Sequence, residues 1–391
     1  MKKIAFVAHE FGLYPGHGGI ASYLYNIAKY ILENTSHEVY VMAEAYDENC
    51  DIYANQKFSF FPIHSGDLLN KRQAILDKMN VIKPDYIEFA DYLALGLHCV
   101  IEKARKTAFH NTLLITNHHT ATRECFEWST NKDILYAPIY LQQIYHEEKT
   151  QMELSDYNFS PSTFLGEYIP EKYNLSKKTL VFANPLYGKL ESCWELKEKY
   201  KDEVDFSLYE NSFNIVLITR FEGRKRHDRL VNAFIKLLNL NIDCNLFLIG
   251  NSAEDPLTNK DCRYVLYKGI DEKYLKNIFF YDFMSIKQQE KFLAICNLSV
   301  MPSSYENQPM AMIESVLRDI PVIASKYSGC KDYSPECMLF DPFKEDDDLF
   351  LTIKNFIDLS VNDRKRISEK QRELLNKIIS PEVCILPRFS L

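Results

Sequence analysis

The amino-acid sequence predicts an α/β protein with two Rossmann-like domains, each a doubly wound parallel sheet, facing each other across a cleft. The chain has 391 residues, more than one ordinary domain. Short apolar runs alternate with helical stretches along most of it, which is typical of parallel βαβ units. This alternation pauses once, around Asn184-Pro185. We therefore expect two Rossmann-like domains, an N-terminal one over residues 1–190 and a C-terminal one over residues 191–391.

In the first half, the apolar runs are those of strands buried in a parallel sheet. The predicted strands are Lys3–Ala8, Glu38–Ala43, Tyr86–Phe89, Thr112–Thr116 and Asp156–Ser162, the last ending in a helix N-cap. A helix begins at Ile20, because apolar residues recur there along one helical face. A long helix is predicted over Ile134–Leu154.

The alternation restarts after a polar connector, Tyr187–Asn211. The predicted strands are Phe213–Thr219, Cys244–Ile249, Tyr264–Tyr267, Leu298–Met301 and Pro321–Ala324. The predicted helices are Asp228–Leu238, Lys287–Cys296, Pro309–Arg318 and a strongly charged one at Asp363–Ile379. We interpret the charges of the last helix as a solvated face.

Composition narrows the class of protein. Hydrophobic residues make up 46% and charged residues 26% of the chain, as in soluble globular proteins. The formal net charge of -8 argues against a nucleic-acid-binding protein, which needs a cationic excess. No apolar run is long enough to span a membrane. The ten cysteines are scattered singly, which favours thiols in a reducing compartment over disulfides or a zinc site. We expect a cytoplasmic protein.

Ligands of open α/β sheets bind at the carboxyl ends of the strands, so the loops that follow strands are the candidate sites. The stretch SSYENQPMAMIES places Glu306 just ahead of a helix and Glu314 inside it, with Pro309 suited to the first helical position. Free N–H groups at that helix start favour an anionic ligand, and Glu314 can accept two vicinal hydroxyls. The alternative is that Glu306 interacts with the helix dipole and Glu314 is an ordinary surface acid.

Two further loops carry features of a phosphate site. In RFEGRKRHD, Arg220 and Lys225 follow a strand and suit a diphosphate. In GHGGIASYL, Gly16, Gly18 and Gly19 indicate close approach of the backbone, either to phosphates or to the facing domain. This pattern is not the GxGxxG of nicotinamide sites, so a dehydrogenase is disfavoured.

Taken together, these motifs resemble the family 4 glycosyltransferases of the GT-B fold over nearly the whole chain. Glu306 and Glu314 correspond to the E-x7-E motif, preceded by MPSSY, and Arg220 with Lys225 corresponds to R-x4-K. Further markers, in order along the chain, are GGIASYLYNIAKYI, ITNHH (the family's T-x-H), SPS, NP, PVIAS and the Ser-Gly pair at 328–329.

The resemblance implies a retaining hexosyltransferase that needs no metal and no cofactor. According to the resemblance, Arg220 and Lys225 would bind the diphosphate and stabilise the leaving group, while Glu306 would hold the donor sugar. His118 matches the T-x-H histidine and would reach the same sugar.

The resemblance also assigns residues that bind the donor. Glu314 would hold the ribose hydroxyls. Backbone groups of Asn307, Gln308 and Met310 would bind the donor sugar. Gly18 and Gly19, in the first loop, would lie against the diphosphate.

The sequence departs from the family pattern in three places. Lys225-Arg226 stands where Lys-Gly is common, Gln308-Pro309 where Phe-Gly is common, and Cys330 where a second glycine is common. The last two border the implied sugar pocket, so they bear on which sugar is transferred rather than on the fold.

The implied partners are a nucleotide sugar, with UDP favoured by family frequency, and a glycan or lipid-linked acceptor read by N-terminal loops that include His17. Such enzymes build surface polysaccharide or glycoconjugates, often on the inner face of the membrane. Ser162–Tyr173 and Glu102–Lys106 are candidates for peripheral contact, with an ordinary solvated face as the alternative for each. The alternative functions are a GT-B epimerase and a non-catalytic sugar-nucleotide-binding subunit.

Overall fold

The computed structural model describes residues 1–13, 18–64, 66–209, 211–344 and 347–391. The chain forms two compact units. The first contains residues 1–127, 132–187 and 378–391, and the second contains residues 128–131 and 188–377. This division falls close to the expected boundary at 190, but two segments differ from it: residues 128–131 belong to the second unit and the C-terminal residues to the first.

The first unit is built on a parallel sheet. Within the described residues it has seven strands in the order β3-β2-β1-β4-β5-β6-β7. The strands are β1 (Lys3–Phe11), β2 (Glu38–Tyr46), β3 (Phe58–Pro62), β4 (Tyr86–Ala90), β5 (Leu113–Asn117), β6 (Tyr157–Ser160) and β7 (Thr179–Val181). The helices are α1 (Gly19–Asn34), α2 (Leu68–Ile82), α3 (Leu97–Ala104), α4 (Thr122–Thr130), α5 (Ile139–Leu154) and α6 (Thr163–Tyr173).

The second unit repeats this architecture. Its described residues form a six-stranded parallel sheet in the order β10-β9-β8-β11-β12-β13. The strands are β8 (Phe213–Ile218), β9 (Cys244–Ile249), β10 (Ile278–Tyr281), β11 (Leu298–Met301), β12 (Val322–Ser325) and β13 (Leu339–Phe340). The helices are α7 (Cys193–Lys199), α8 (His227–Asn239), α9 (Cys262–Lys268), α10 (Ile286–Leu293), α11 (Met310–Leu317), α12 (Asp347–Asp358) and α13 (Val361–Ile379).

Apolar strands flanked by helices account for both sheets, because a parallel sheet is covered on both faces. In the first unit, Ala5 and Val7 of β1 pack in one cluster with Ile75 of α2 and Ile87 of β4. In the second, the cluster is formed by buried side chains of β8, β9, α7 and α10: Val216, Phe247, Ile249, Leu196 and Leu293.

One predicted strand is wrong. Tyr264–Tyr267 lies in α9, whose N-cap Asp261 accepts a hydrogen bond from the backbone N–H of Tyr264 at 2.7 Å. No α9 residue is buried, so the apolar side chains that suggested a buried strand cover no core. β9 pairs with β8 on one side and on the other with β10, a strand that the sequence analysis did not predict.

Two predicted helices also differ in their ends. The helix expected over Ile134–Leu154 is interrupted before Pro138, so that a 3-10 turn at Ile134–Tyr136 precedes α5. Proline fixes its own φ and restricts the residue before it, which explains the break. Helix α11 begins at Met310, with Pro309 as its N-cap rather than its first residue.

The C-terminal residues return to the first unit. After α13 comes the short helix α14 (Pro381–Cys384), and Arg388 behind it is fully buried. The Arg388 guanidinium donates to the Tyr23 hydroxyl at 2.6 Å, lies 3.3 Å from Glu88 Oε2 and donates to the Phe182 carbonyl at 2.9 Å. The tail therefore contributes a buried cation to the N-terminal unit. Within the described ranges, no helix is both long and apolar enough to cross a membrane.

In each sheet the strand order reverses direction at one place, which is called the switch point of the sheet. It lies between β1 and β4 in the first unit and between β8 and β11 in the second. Diverging connections leave a crevice at the carboxyl ends of the strands at such a point, and ligands of doubly wound sheets bind there. The loops after β8 and β11 are those that carry Arg220, Lys225 and Glu306.

Candidate functional site

The loop after β8 positions two cations differently. Arg220 follows the strand almost directly and is exposed. Lys225 ends the 3-10 turn Gly223–Lys225 just ahead of α8 and is buried, with 8% of its surface exposed. Burial lowers the pKa of the Lys225 ammonium group, and the neighbouring Arg224 cation lowers it further, against the opposing effect of Glu306. Lys225 is therefore a desolvated cation at the switch point of the sheet.

Glu306 lies in the loop after β11 and is 4% exposed. Its Oε1 atom accepts a hydrogen bond from Lys225 Nζ and another from Ser303 Oγ at 3.0 Å, and lies 3.2 Å from Arg224 Nη1. The two loops on either side of the switch point are thus joined by a buried ion pair. The second oxygen, Oε2, is outside these three contacts.

Arg224 is a site residue that the sequence analysis missed. Its Nε lies 2.7 Å from Glu222 Oε1, while Nη1 reaches Glu306. Burial alone would raise the pKa of the Glu222 carboxyl, but Arg224, Lys225 and Arg220 outweigh it and lower that pKa. The motif spacing had selected only Arg220 and Lys225, and nothing in it distinguished Arg224 from an ordinary surface arginine.

Glu314 lies in the second turn of α11 and is half-buried. Burial raises the pKa of its carboxyl to about 7, although the Arg318 guanidinium opposes this shift. No described residue donates a hydrogen bond to this carboxylate. Glu314 is therefore a desolvated acid without a hydrogen-bond partner in the described structure, a state that a hydroxylated ligand would relieve.

The backbone between the two acids is tied to the loop after β12. The Gly329 N–H donates to the carbonyl oxygens of Asn307 at 2.6 Å and Glu306 at 3.3 Å, and Glu306 pairs with Ser328 in a parallel bridge. Gln308 and Met310, which follow Asn307, are both buried. The Ser-Gly pair at 328–329 therefore fixes the conformation of the segment that leads into α11.

Residues 128–131, which belong to the second unit, pack against two loops of the site. The Trp128 ring stacks on Tyr305, next to Glu306, with 5.7 Å between centroids. On the other side, a Cβ added to Gly223 would lie 2.6 Å from the backbone carbonyl oxygen of Ser129. One short segment therefore contacts both the cationic loop and the Glu306 loop, and glycine is required at 223 for that approach.

In the first unit, His118 follows β5 and is completely buried. Its Nδ1 lies 3.8 Å from Asp91 Oδ2, and neither ring nitrogen hydrogen-bonds to a described residue. Asp91 is held in place because its Oδ1 accepts hydrogen bonds from the backbone N–H groups of Tyr92 at 2.9 Å and His119 at 3.0 Å. The predicted sugar-binding histidine thus lies beside an oriented carboxylate.

The glycine loop is described only in part. Gly18 is the N-cap of α1, Gly19 is its first residue, and the Gly18 N–H donates to the Glu10 carboxylate. Gly16 and His17 lie outside the described residues. Among the described residues there is also no group of three or more His, Cys, Asp or Glu side chains placed to hold a metal ion.

Comparison with known proteins gives one family match and many structural ones. Residues 198–374 match the family model described as "Glycosyl transferases group 1", a range that includes Arg220, Lys225, Glu306 and Glu314. No curated protein matches the sequence at a significant level.

Solved structures match along the entire chain. Sucrose-phosphate synthase from Thermosynechococcus elongatus has a TM-score of 0.77 at 16% identity, covering 100% of this chain and 98% of that one. The chain has the GT-B fold. Anabaena HepE in complex with UDP-glucose shares this GT-B fold at a TM-score of 0.70 and 15% identity, with both chains covered completely. WaaG, a glycosyltransferase involved in lipopolysaccharide biosynthesis, matches at 0.69 and 12% identity, covering 99% and 98%.

Proposed function

We propose that this protein is a retaining, metal-independent glycosyltransferase of family 4 that moves a hexose from a nucleoside-diphosphate sugar to a glycan or lipid-linked acceptor. The observation that carries the proposal is the meeting of Lys225 and Glu306 at the switch point of the second sheet, with Glu314 on the helix that follows. The "Glycosyl transferases group 1" match over residues 198–374 supports the assignment to the transferases.

UDP is the proposed nucleotide. HepE, which shares the fold, has been solved with UDP and with UDP-glucose. In the proposed complex, the Glu314 carboxylate accepts hydrogen bonds from the two ribose hydroxyls, since it has no described hydrogen-bond donor of its own. Arg220 and Lys225 bind the diphosphate, and Glu306 accepts hydrogen bonds from the sugar hydroxyls.

The proposed chemical step uses these residues as follows. The bond between the sugar's anomeric carbon and the diphosphate oxygen breaks, and negative charge builds on the leaving diphosphate. A buried lysine and nearby arginines stabilise that charge where water is excluded, the usual source of the largest rate effect. The acceptor hydroxyl attacks from the same face through an oxocarbenium-like state and gives its proton to the departing phosphate oxygen. The configuration at the anomeric carbon is retained.

The remaining assignments concern the first unit and the acceptor. His118, held beside Asp91, is proposed to contact the donor sugar, and Gly18 and Gly19 to lie against the diphosphate and the acceptor. Synthesis of surface polysaccharide or glycoconjugate at the inner face of the membrane is the proposed setting.

The direct test is turnover of UDP-glucose, GDP-mannose and ADP-glucose in excess EDTA, with UDP, GDP or ADP release as the measured product. We expect slow hydrolysis of one donor without an acceptor, and a faster release with glycan acceptors. Binding of a nucleotide sugar without release of its nucleotide under any of these conditions would instead identify a non-catalytic binding subunit. Conversion of the sugar while still attached to its nucleotide would identify an epimerase.

A further inference from the structure

Arg224 shares one carboxylate oxygen with Lys225. Its Nη1 and the Lys225 ammonium both contact Glu306 Oε1, and its side chain is only 13% exposed. A guanidinium and an ammonium group therefore converge on a single oxygen position at the switch point. An oxygen of a bound phosphate can occupy such a position as well as a carboxylate oxygen can, since both accept charge-assisted hydrogen bonds.

The charged groups around Glu306 are more positive than negative, with the neutral Arg226–Asp228 pair set aside. Arg220, Arg224 and Lys225 are cations, against the two carboxylates Glu222 and Glu306. The excess is one formal positive charge, in a place where burial already disfavours the Lys225 ammonium. The two carboxylates present leave this excess uncompensated, whereas a doubly or triply charged ligand would reverse the balance.

We propose that Arg224 is a specificity-determining residue that binds the diphosphate and makes the site discriminate nucleoside diphosphates from monophosphates. Its planar guanidinium carries five N–H donors, so it can keep Nε on Glu222 while Nη1 moves from Glu306 to a phosphate oxygen. The same movement leaves Glu306 with fewer cationic partners and more capacity for sugar hydroxyls. This inference rests on the proposed function, because it needs a nucleoside diphosphate as the ligand.

Arg226 offers a matched control. It lies two residues beyond Arg224 and is also an arginine, and its Nη2 pairs with Asp228 Oδ2 at 2.8 Å. Arg226→Gln removes the same charge from the same loop, but the ion pair that it breaks is the one with Asp228. A non-specific effect of net charge would therefore appear equally in both variants.

The experiment is isothermal titration of UDP and of UMP, in EDTA, into wild type, Arg224→Gln, Arg224→Lys and Arg226→Gln. We expect Arg224→Gln to raise the Kd for UDP about tenfold, roughly the effect of one charge-assisted hydrogen bond, and the Kd for UMP by less than about twofold. Arg224→Lys should give a Kd for UDP between those of wild type and Arg224→Gln, because lysine keeps the positive charge but lacks the planar set of guanidinium N–H donors. Arg226→Gln should resemble wild type.

The outcomes separate the inference from the proposed function. Wild type that binds UDP, with Arg224→Gln and Arg226→Gln equal to it, would overturn the role of Arg224 and leave the proposed function intact. An equal loss of UDP and UMP affinity in Arg224→Gln would also overturn it, since a diphosphate-specific contact cannot weaken both alike. Wild type that binds neither UDP nor UMP would overturn both.

Discussion

The ammonium group of Lys225 and the carboxylate of Glu306 form a buried ion pair that joins the loops after β8 and β11. Lys225 is 8% exposed and Glu306 is 4% exposed, so neither charge is solvated by bulk water. A buried charge whose partner is removed costs far more than the pair contributes when intact. The pair is therefore a sensitive point for both stability and activity.

Glu306→Gln tests this relationship. It keeps the shape of the side chain but leaves the Lys225 charge without a counter-ion, so we expect a loss of about 3 kcal/mol in the free energy of unfolding. Donor turnover should fall about 100-fold, the typical effect of removing one preorganised polar group. Urea unfolding and nucleotide release measure the two effects. Glu336→Gln, at an exposed position of the same unit, is the control and should change neither; equal turnover in both variants would contradict the role of Glu306.

Glu314 should make stability depend on pH. Burial raises its pKa to about 7 from the ordinary 4.5, so the folded protein binds more protons than the unfolded chain between those values. The contribution is fully present below pH 4.5 and is lost as pH rises through 7. Relative to Glu314→Gln, wild type should therefore lose thermal stability from pH 5 to pH 8. Parallel curves of melting temperature against pH for the two proteins would contradict this.

The same titration should affect nucleotide binding in the opposite direction. A deprotonated Glu314 accepts two ribose hydroxyls better than a neutral carboxyl does. We therefore expect UDP affinity to rise more steeply between pH 6 and pH 8 in wild type than in Glu314→Gln, which shares only the titration of the UDP phosphate itself. A 2′-deoxy nucleotide is the control ligand, because it lacks one of the two hydroxyls and should show a weaker pH dependence.

Gly223 should not tolerate a side chain. The added Cβ of Gly223→Ala would meet the Ser129 carbonyl oxygen at 2.6 Å, a backbone atom that cannot move without displacing Trp128 or the cationic loop. We expect a loss of about 1–3 kcal/mol in stability and a matching fall in UDP affinity. Gly269→Ala, whose Cβ would lie no closer than 3.5 Å to its neighbours, is the control. Wild-type affinity in Gly223→Ala would show that the loop position does not matter.

Trp128 should report ligand binding by fluorescence. The chain contains two tryptophans, Trp128 and Trp194, and Trp194 is 74% exposed. In Trp194→Phe, emission comes from the ring that stacks on Tyr305 beside Glu306, so UDP-sugar binding should change its intensity or wavelength. Trp128→Phe should lose that response and keep an emission typical of an exposed indole. A ligand-dependent signal from Trp128→Phe alone would contradict the placement of the site.

Arg388 should anchor the C-terminal tail to the first unit. It is fully buried against Tyr23 and Glu88, and replacing it leaves the Glu88 carboxylate without its cation. We expect Arg388→Met to lower the free energy of unfolding by about 3–5 kcal/mol. The double variant Arg388→Met with Glu88→Gln should recover part of the loss. Arg366→Met, at a 79% exposed side chain, is the control and should be neutral.

The sequence predicted the strands that carry the site because they are mostly buried and flanked by strong helical patterns. β8, β9 and β11 were placed within a residue or identically, and the order of the loops followed from βαβ topology. The helix α9 was mistaken for a strand because Tyr264 and Tyr267 are strand-favouring residues, and the Asp261 N-cap that decides the matter is a local hydrogen bond.

Other parts of the site depend on three-dimensional neighbours that no spacing reveals. Arg224 reaches Glu306 only because the turn Gly223–Lys225 directs both cations to one oxygen. Residues 128–131 belong to the second unit because of the contacts of Trp128 and Ser129, although the sequence around them forms the first. The return of Arg388 to Glu88 joins positions 300 residues apart.

The central claim is that Glu314 and the cations after β8 form a nucleoside-diphosphate site that needs no metal. The most direct measurement is the melting temperature of wild type and of Glu314→Ala, in EDTA, with UDP, GDP, ADP and CMP. We predict that one diphosphate, UDP, raises the melting temperature of wild type and not that of Glu314→Ala. No shift of wild type with any of the four nucleotides, or an equal shift in both proteins, would contradict the account.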